Sequence, residues 1–269
     1  MQIFNTQTDN RKPKGWEVLA LFFMSSMLVM VIFPMLSKYA GGLWSITATN
    51  VIGFLLVPMF FVSFSGYDMR ETFRLKRPSV GHLLLTTLMV FSAYWLMNFL
   101  LSLQMSYKLI TPEEINALGK KMEMVNSAVN LGAFSAIVLL ALLPAVVEEF
   151  FFRGVMLAGL ENAFSKGLAI LVAGMLFGVL HLGESEVMMI LGIVLAYIAV
   201  KGGSIFLAVY GHFLFNLISV ILMLNGPEAL PAEMAVQVPP VLMMVSSAGL
   251  IGGILLFGRS KESLADSRL

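Results

Sequence analysis

The sequence predicts an all-α polytopic membrane protein of about eight transmembrane helices. Three observations carry this reading. Hydrophobic residues make up 58% of the chain and mean hydropathy is +0.88. Only 12% of the 269 residues are charged, about half the ~25% of a soluble domain. The apolar residues also gather in runs close to the ~20 residues that a membrane helix needs. A net charge of +1 gives no reason to expect nucleic acid. The chain has no cysteine, which excludes a thiol nucleophile, a disulfide framework and a cysteine metal site.

Eight runs qualify or nearly do: about 17–37, 43–65, 80–103, 131–153, 166–183, 185–200, 204–224 and 239–258. The first follows a polar segment with Arg11, Lys12 and Lys14, and it exceeds the ~7–15 residues of a signal-peptide core. It is expected to be a retained span. The third begins near His82, which is expected at the membrane interface. The loop after it holds Thr111-Pro112-Glu113-Glu114, a helix start with a threonine cap, proline at the first position and glutamate at the third. Ile115, Leu118, Met122 and Val125 then share a face, so a helix lying on the lipid surface is expected, with a lid over the site as the alternative.

The fourth run contains Pro144 one turn before Glu148. It cannot donate to the Leu140 carbonyl, which predicts a kink and room for water. The fifth carries Gly174 and Gly178, a small-xxx-small pair that lets a neighbouring helix approach closely. Only Leu182-Gly183-Glu184-Ser185 separates it from the sixth. Gly211 suggests close approach on the seventh. The loop from Asn225 to Pro240 has four prolines (Pro227, Pro231, Pro239, Pro240) and reads as an ordered, irregular connection. The eighth run holds Ser246-Ser247-Ala248-Gly249 with Gly252 and Gly253, suited to packing internally or against a second copy. The 20 methionines read as core and lipid-facing filler. No internal repeat is visible, and residues 1–269 read as one membrane domain.

Eight spans put both termini on one side. With that side cytoplasmic, the inside segments hold Arg11, Lys12, Lys14, Arg70, Arg74, Lys76, Arg77, Arg153, Lys166, Lys201, Arg259, Lys261 and Arg268, thirteen in all. The outside segments hold four: Lys38, Lys108, Lys120 and Lys121. Positive charge marks the cytoplasmic side, so cytoplasmic N- and C-termini are expected. His181 then lies about 22 Å above Lys166, but His212 only about 12 Å above Lys201. The fourth helix is therefore expected to continue past Arg153, through Val155–Leu160, towards Lys166.

Within the spans the polar residues are few. Glu148, Glu149 and Arg153 interrupt the fourth run, and each charge at the centre of a membrane helix costs roughly 2.5–3.5 kcal/mol. Glu149 and Arg153 are four apart and can pair. Glu148 is rotated by about 100° and is left for chemistry. Two of the three histidines, His181 and His212, are in spans. His212 and Asn216, four apart, present one polar face. Singly, each has an ordinary structural explanation, such as a hydrogen bond between helices. Together they supply what hydrolysis needs: a base, a water-orienting group and donors for an oxyanion.

Glu-Glu-x-x-x-Arg (Glu148, Glu149, Arg153), Phe-x-x-x-His (Phe177, His181) and His-x-x-x-Asn (His212, Asn216), in that order on successive spans, resemble the CPBP intramembrane proteases. That family groups type II CAAX prenyl endopeptidases with bacteriocin-processing and immunity (Abi) proteins. The resemblance covers about residues 130–225, the catalytic core. It implies that Glu148 and His181 activate water, that His212 and Asn216 hold the oxyanion, and that Glu149 and Arg153 support the site. Two mechanisms stay open: a metal-free one, favoured because no His-Glu-x-x-His helix is present, and one in which Glu148, His181 and His212 ligate zinc. The resemblance implies a peptide or a lipidated, membrane-anchored protein tail as substrate, and a bacterial inner membrane as location. The alternative function is a catalytically silent scaffold, immunity protein or transporter-associated subunit. A transporter is disfavoured by the absence of inverted repeats.

Overall fold

The computed structural model describes residues 11–107, 109, 111–181, 185–225 and 239–266. Lys108, Arg268, most of the 182–185 linker and the loop bearing Pro227 and Pro231 lie outside the described residues. Among those described, six helices are long and apolar enough to cross a membrane. They are α1 (Gly15–Phe64), α3 (Val80–Ser106), α5 (Ala133–Ala163), α7 (Ser185–Gly202), α8 (Ile205–Asn225) and α9 (Pro240–Asp266). Three others are α2 (Met69–Thr72), α4 (Pro112–Asn130) and α6 (Lys166–Val179).

Each of the expected eight runs is mainly helical over its described residues, but they do not all stand as separate long spans. The first two form α1, 50 residues in length. At Gly41 the backbone leaves the helix with φ 73° and ψ 167°, a conformation that glycine adopts without strain. The two arms then fold side by side: a Cβ on Gly53 would lie 2.8 Å from the Val29 side chain and 3.4 Å from the Ser25 carbonyl. The fifth run, α6, has 14 helical residues, about 21 Å of helix and short of a full span.

One end of the bundle is fastened by hydrogen bonds. The Asp68 amide donates to the Arg11 carbonyl at 2.9 Å. The Asn162 carboxamide donates to the Pro13 carbonyl at 3.2 Å, and the Tyr67 hydroxyl to Glu17 at 2.6 Å. The Ile205 amide donates to the Arg74 carbonyl at 3.2 Å, and the Ser204 hydroxyl to the Lys76 carbonyl at 2.5 Å. The start of α1, the 65–79 loop, the end of α5 and the α7–α8 turn therefore meet at one end. These are segments that the charge pattern groups together.

At the opposite end, α4 begins with the expected reciprocal cap: the Thr111 amide donates to Glu114 at 2.7 Å, and the Glu114 amide to the Thr111 hydroxyl at 3.2 Å. The Thr111 amide, and the Thr111 hydroxyl at 2.9 Å, both donate to the Glu114 carboxylate and hold it below its usual range. Only part of the expected apolar face is used. Val125 is buried, and Ala128 lies in a small core with Leu43, Ala136, Ala141 and Val220, while Ile115 is exposed. The Leu118 side chain lies outside the described residues. The C-terminal half of α4 thus docks on the bundle instead of resting only on lipid.

Two further expectations are refined. His82, near the start of α3, is buried, its ring stacking on Phe257 of α9 with centroids 4.8 Å apart. The small residues of α9 pack internally: Gly249 faces Ser92 and Gly253 faces Met89, both on α3, while Gly252 faces open space.

Candidate active site

Helix α5 carries the two glutamates between two irregular turns. Ile137–Leu142 and Phe150–Met156 are π-helical, and Leu143–Glu149 between them is α-helical. Such i→i+5 turns inside a helix are frequent at functional sites. The distortion expected at Pro144 takes this form: the π turn precedes it, and Pro144 is the second residue of the following α segment. The helix runs on to Ala163, as the depth argument requires.

Glu149 and Arg153 are fully buried and paired, with Nη1 donating to Oε1 at 2.8 Å. Arg153 Nη2 donates to the Gly192 carbonyl on α7 at 3.1 Å, and the guanidinium lies over the Phe177 ring at 4.5 Å. That reach depends on a tight α6–α7 contact. A Cβ on Gly192 would sit 2.8 Å from the Gly174 carbonyl oxygen, and one on Gly174 would sit 2.7 Å from the Ile193 amide nitrogen. The small-xxx-small pair does bring a neighbour close, and that neighbour is α7. Gly211 packs in the same way, a Cβ there lying 3.1 Å from Leu195, Thr86 and Val90.

Glu149 Oε1 also accepts from His212 Nδ1 at 2.8 Å. A carboxylate only accepts, so Nδ1 carries a proton, and Nε2 faces the other way. His181 is held alike, with Nδ1 donating to the Phe177 carbonyl at 2.8 Å. Both free ring nitrogens point at one atom. Glu148 Oε2 is 3.8 Å from His181 Nε2 and 4.0 Å from His212 Nε2, and it is buried with no hydrogen-bond partner. Exposure rises from 4% for the His212 side chain through 13% for Glu148 to 27% for His181, so the site opens on the His181 side. Asn216 lies one turn beyond His212 on α8 and is half-buried. Among the described residues, no hydrogen bond joins it to the other site residues.

Three contributors have no local signal in the sequence. Gly192 supplies a carbonyl from a generic apolar helix. Arg74 and Glu161, which pair with each other, come from a loop and a helix end 87 residues apart. Arg74 Nε also donates to the Arg153 carbonyl at 3.4 Å, and Arg74 has φ +50°, an uncommon left-handed conformation for a side-chain-bearing residue. Beside it Phe73 packs against Gly154, with Ile205 close by. The loop and the start of α8 therefore sit level with Gly154, about 9 Å below Glu148 by helix rise. This reconciles the unequal depths of His181 and His212, because the α5–α6 turn extends further down than the α7–α8 turn.

Zinc bonds of ~2.0–2.1 Å at tetrahedral angles would place ligand atoms about 3.4 Å apart. The 3.8 and 4.0 Å separations are wider, and among the described residues no three His, Asp or Glu side chains gather closely enough to hold a metal ion. As placed, Glu148, His181 and His212 do not close around zinc. A water molecule, with hydrogen bonds near 2.8 Å, fits between them.

Residues 130–218 match the family described as type II CAAX prenyl endopeptidase Rce1-like. No curated protein and no solved structure matches the chain.

Proposed function

We propose, from the premise that residues 130–218 belong to the type II CAAX prenyl endopeptidase family, that this chain is an intramembrane endopeptidase with water as nucleophile, activated by Glu148 and His181. The observation that supports this most is the unpartnered Glu148 Oε2, faced by two imidazole nitrogens whose opposite nitrogens are anchored. Water at that point donates one hydrogen to Glu148 and the other to His181 Nε2. Its oxygen attacks the scissile carbonyl carbon. Glu148 takes the proton and returns it to the leaving amide nitrogen.

The oxyanion needs donors. His212, whose Nδ1 is held by the Glu149 carboxylate, serves as one when Nε2 carries a proton. Asn216, one turn away, supplies the second donor once substrate is seated. Glu149 and Arg153 keep His212 and α7 in place. On the charge pattern, the fastened end of the bundle and both termini face the cytoplasm of a bacterial inner membrane. The substrate is a peptide or a lipidated, membrane-anchored protein tail.

The test compares protein termini in membranes of cells carrying wild type or Glu148→Gln at matched expression. Loss of a positioned base lowers rates by about 10²–10⁴, so specific termini vanish in the variant and name the substrate. Identical sets of termini overturn the protease reading in favour of a silent scaffold or immunity protein.

A further inference from the structure

A cavity lies away from the glutamates, at the fastened end of the bundle. It has a volume of about 400 Å³ and is lined by Lys166, Gly167, Ile170, Tyr197, Val200 and Lys201. Two cations at the mouth of an apolar recess form a recognisable chemistry. Lys166 opens α6 and is exposed; Lys201 closes α7, with Nζ 6.0 Å from the Tyr197 ring centroid. Neither lysine has a carboxylate partner among the described residues, although Arg74 and Arg153 nearby are both paired. The Tyr197 hydroxyl donates to the Ile254 carbonyl at 2.8 Å, which fixes the ring as a wall. Ser165, the cap position of α6, makes no side-chain hydrogen bond to the helix start, so the first-turn amides have no acceptor there.

We propose that this recess binds an anionic phospholipid, with the headgroup phosphate between Lys166 and Lys201 and an acyl chain along Ile170 and Val200. The outer face of α6 continues the recess with Leu171 and Met175, which are 45% and 46% exposed. A headgroup entering here keeps its chain in the bilayer. Free phosphate would meet the same cations but would leave the apolar wall unused. Basic pockets between helices on the cytoplasmic side are suited to such headgroups.

The experiment uses the full chain in nanodiscs of phosphatidylcholine containing phosphatidylglycerol, with lipid retention read by native mass spectrometry. Phosphatidylglycerol is expected to be retained over phosphatidylcholine. Each lysine contributes about fivefold, so Lys166→Gln/Lys201→Gln weakens retention roughly 25- to 30-fold. Lys120→Gln, at the other end of the bundle, leaves it unchanged. Ile170→Trp keeps both charges but fills the recess, and it also releases the lipid. Retention in the double variant within twofold of wild type, or equal retention of phosphatidylcholine, overturns the site. Stripping of the lipid by millimolar inorganic phosphate, or unchanged retention in Ile170→Trp, overturns the lipid as its occupant.

Discussion

Replacing Arg153 by methionine removes a charge while keeping an unbranched apolar stem. Glu149, fully buried, then loses the Arg153 Nη1 at 2.8 Å and keeps His212 as its one ion-pair partner among the described residues. Removing one partner of a buried pair costs about 3–5 kcal/mol. The Gly192 carbonyl also loses its donor, worth about 1–3 kcal/mol, and the Phe177 ring loses a cation at 4.5 Å. These losses overlap, so we expect about 4 kcal/mol at the low end, against a total stability of about 5–15 kcal/mol. At about 2–4 °C per kcal/mol for a chain of this size, the unfolding midpoint in detergent falls by roughly 8–16 °C. The assay is the fraction of monodisperse protein surviving a heating series on size-exclusion chromatography. Glu149→Gln/Arg153→Met removes both charges, leaves the new carboxamide oxygen to accept from His212, and recovers about half of the loss. A fall of less than ~3 °C in Arg153→Met, or no recovery in the double variant, would refute the structural role of the pair.

The α6–α7 contact and the metal question give two further expectations. Gly192→Ala drives a Cβ to 2.8 Å from the Gly174 carbonyl oxygen and 2.9 Å from its Cα, so the helices spread at a cost of about 1–3 kcal/mol. The same heating series should show it, while Gly252→Ala, which meets open space, changes nothing. Dialysis against a strong chelator should leave cleavage intact, because the ring nitrogens stand too far from Glu148 Oε2 for a closed zinc shell. Loss of activity that zinc restores would refute the water-only site.

The site residues were legible because charge inside an apolar run is costly, so each such residue carries information beyond its hydropathy. Spacing separated the paired Glu149 from the unpaired Glu148, and the structure arranges them in that way. The break at Gly41 was harder to read, because a glycine within an apolar run leaves helix and turn equally open. The docking of α4 followed from contacts with Leu43 and Val220 that no local pattern encodes. Arg74 was read only as one of several inside positive charges. Its grip on the Arg153 carbonyl joins residues 79 positions apart and depends on how the loop folds back under α5. The paired termini of motifs are local; the groups that hold them from behind are not.

The π turn at Phe150–Met156 has a consequence for insertions and deletions. It sets the angular phase of everything after it, through Ala163. Deleting one residue in the α-helical segment just after it, for instance Ala158, would leave the Glu149–Arg153 spacing untouched. The remaining turns would rotate by about 100°. Gly159 would then leave its seat against Val18, and Asn162 would no longer face the Pro13 carbonyl. A chain so altered would keep every motif intact and lose the helix phase that joins its site to its N-terminus. In this helix, residue count between the motif and Ala163 is as constrained as residue identity within it.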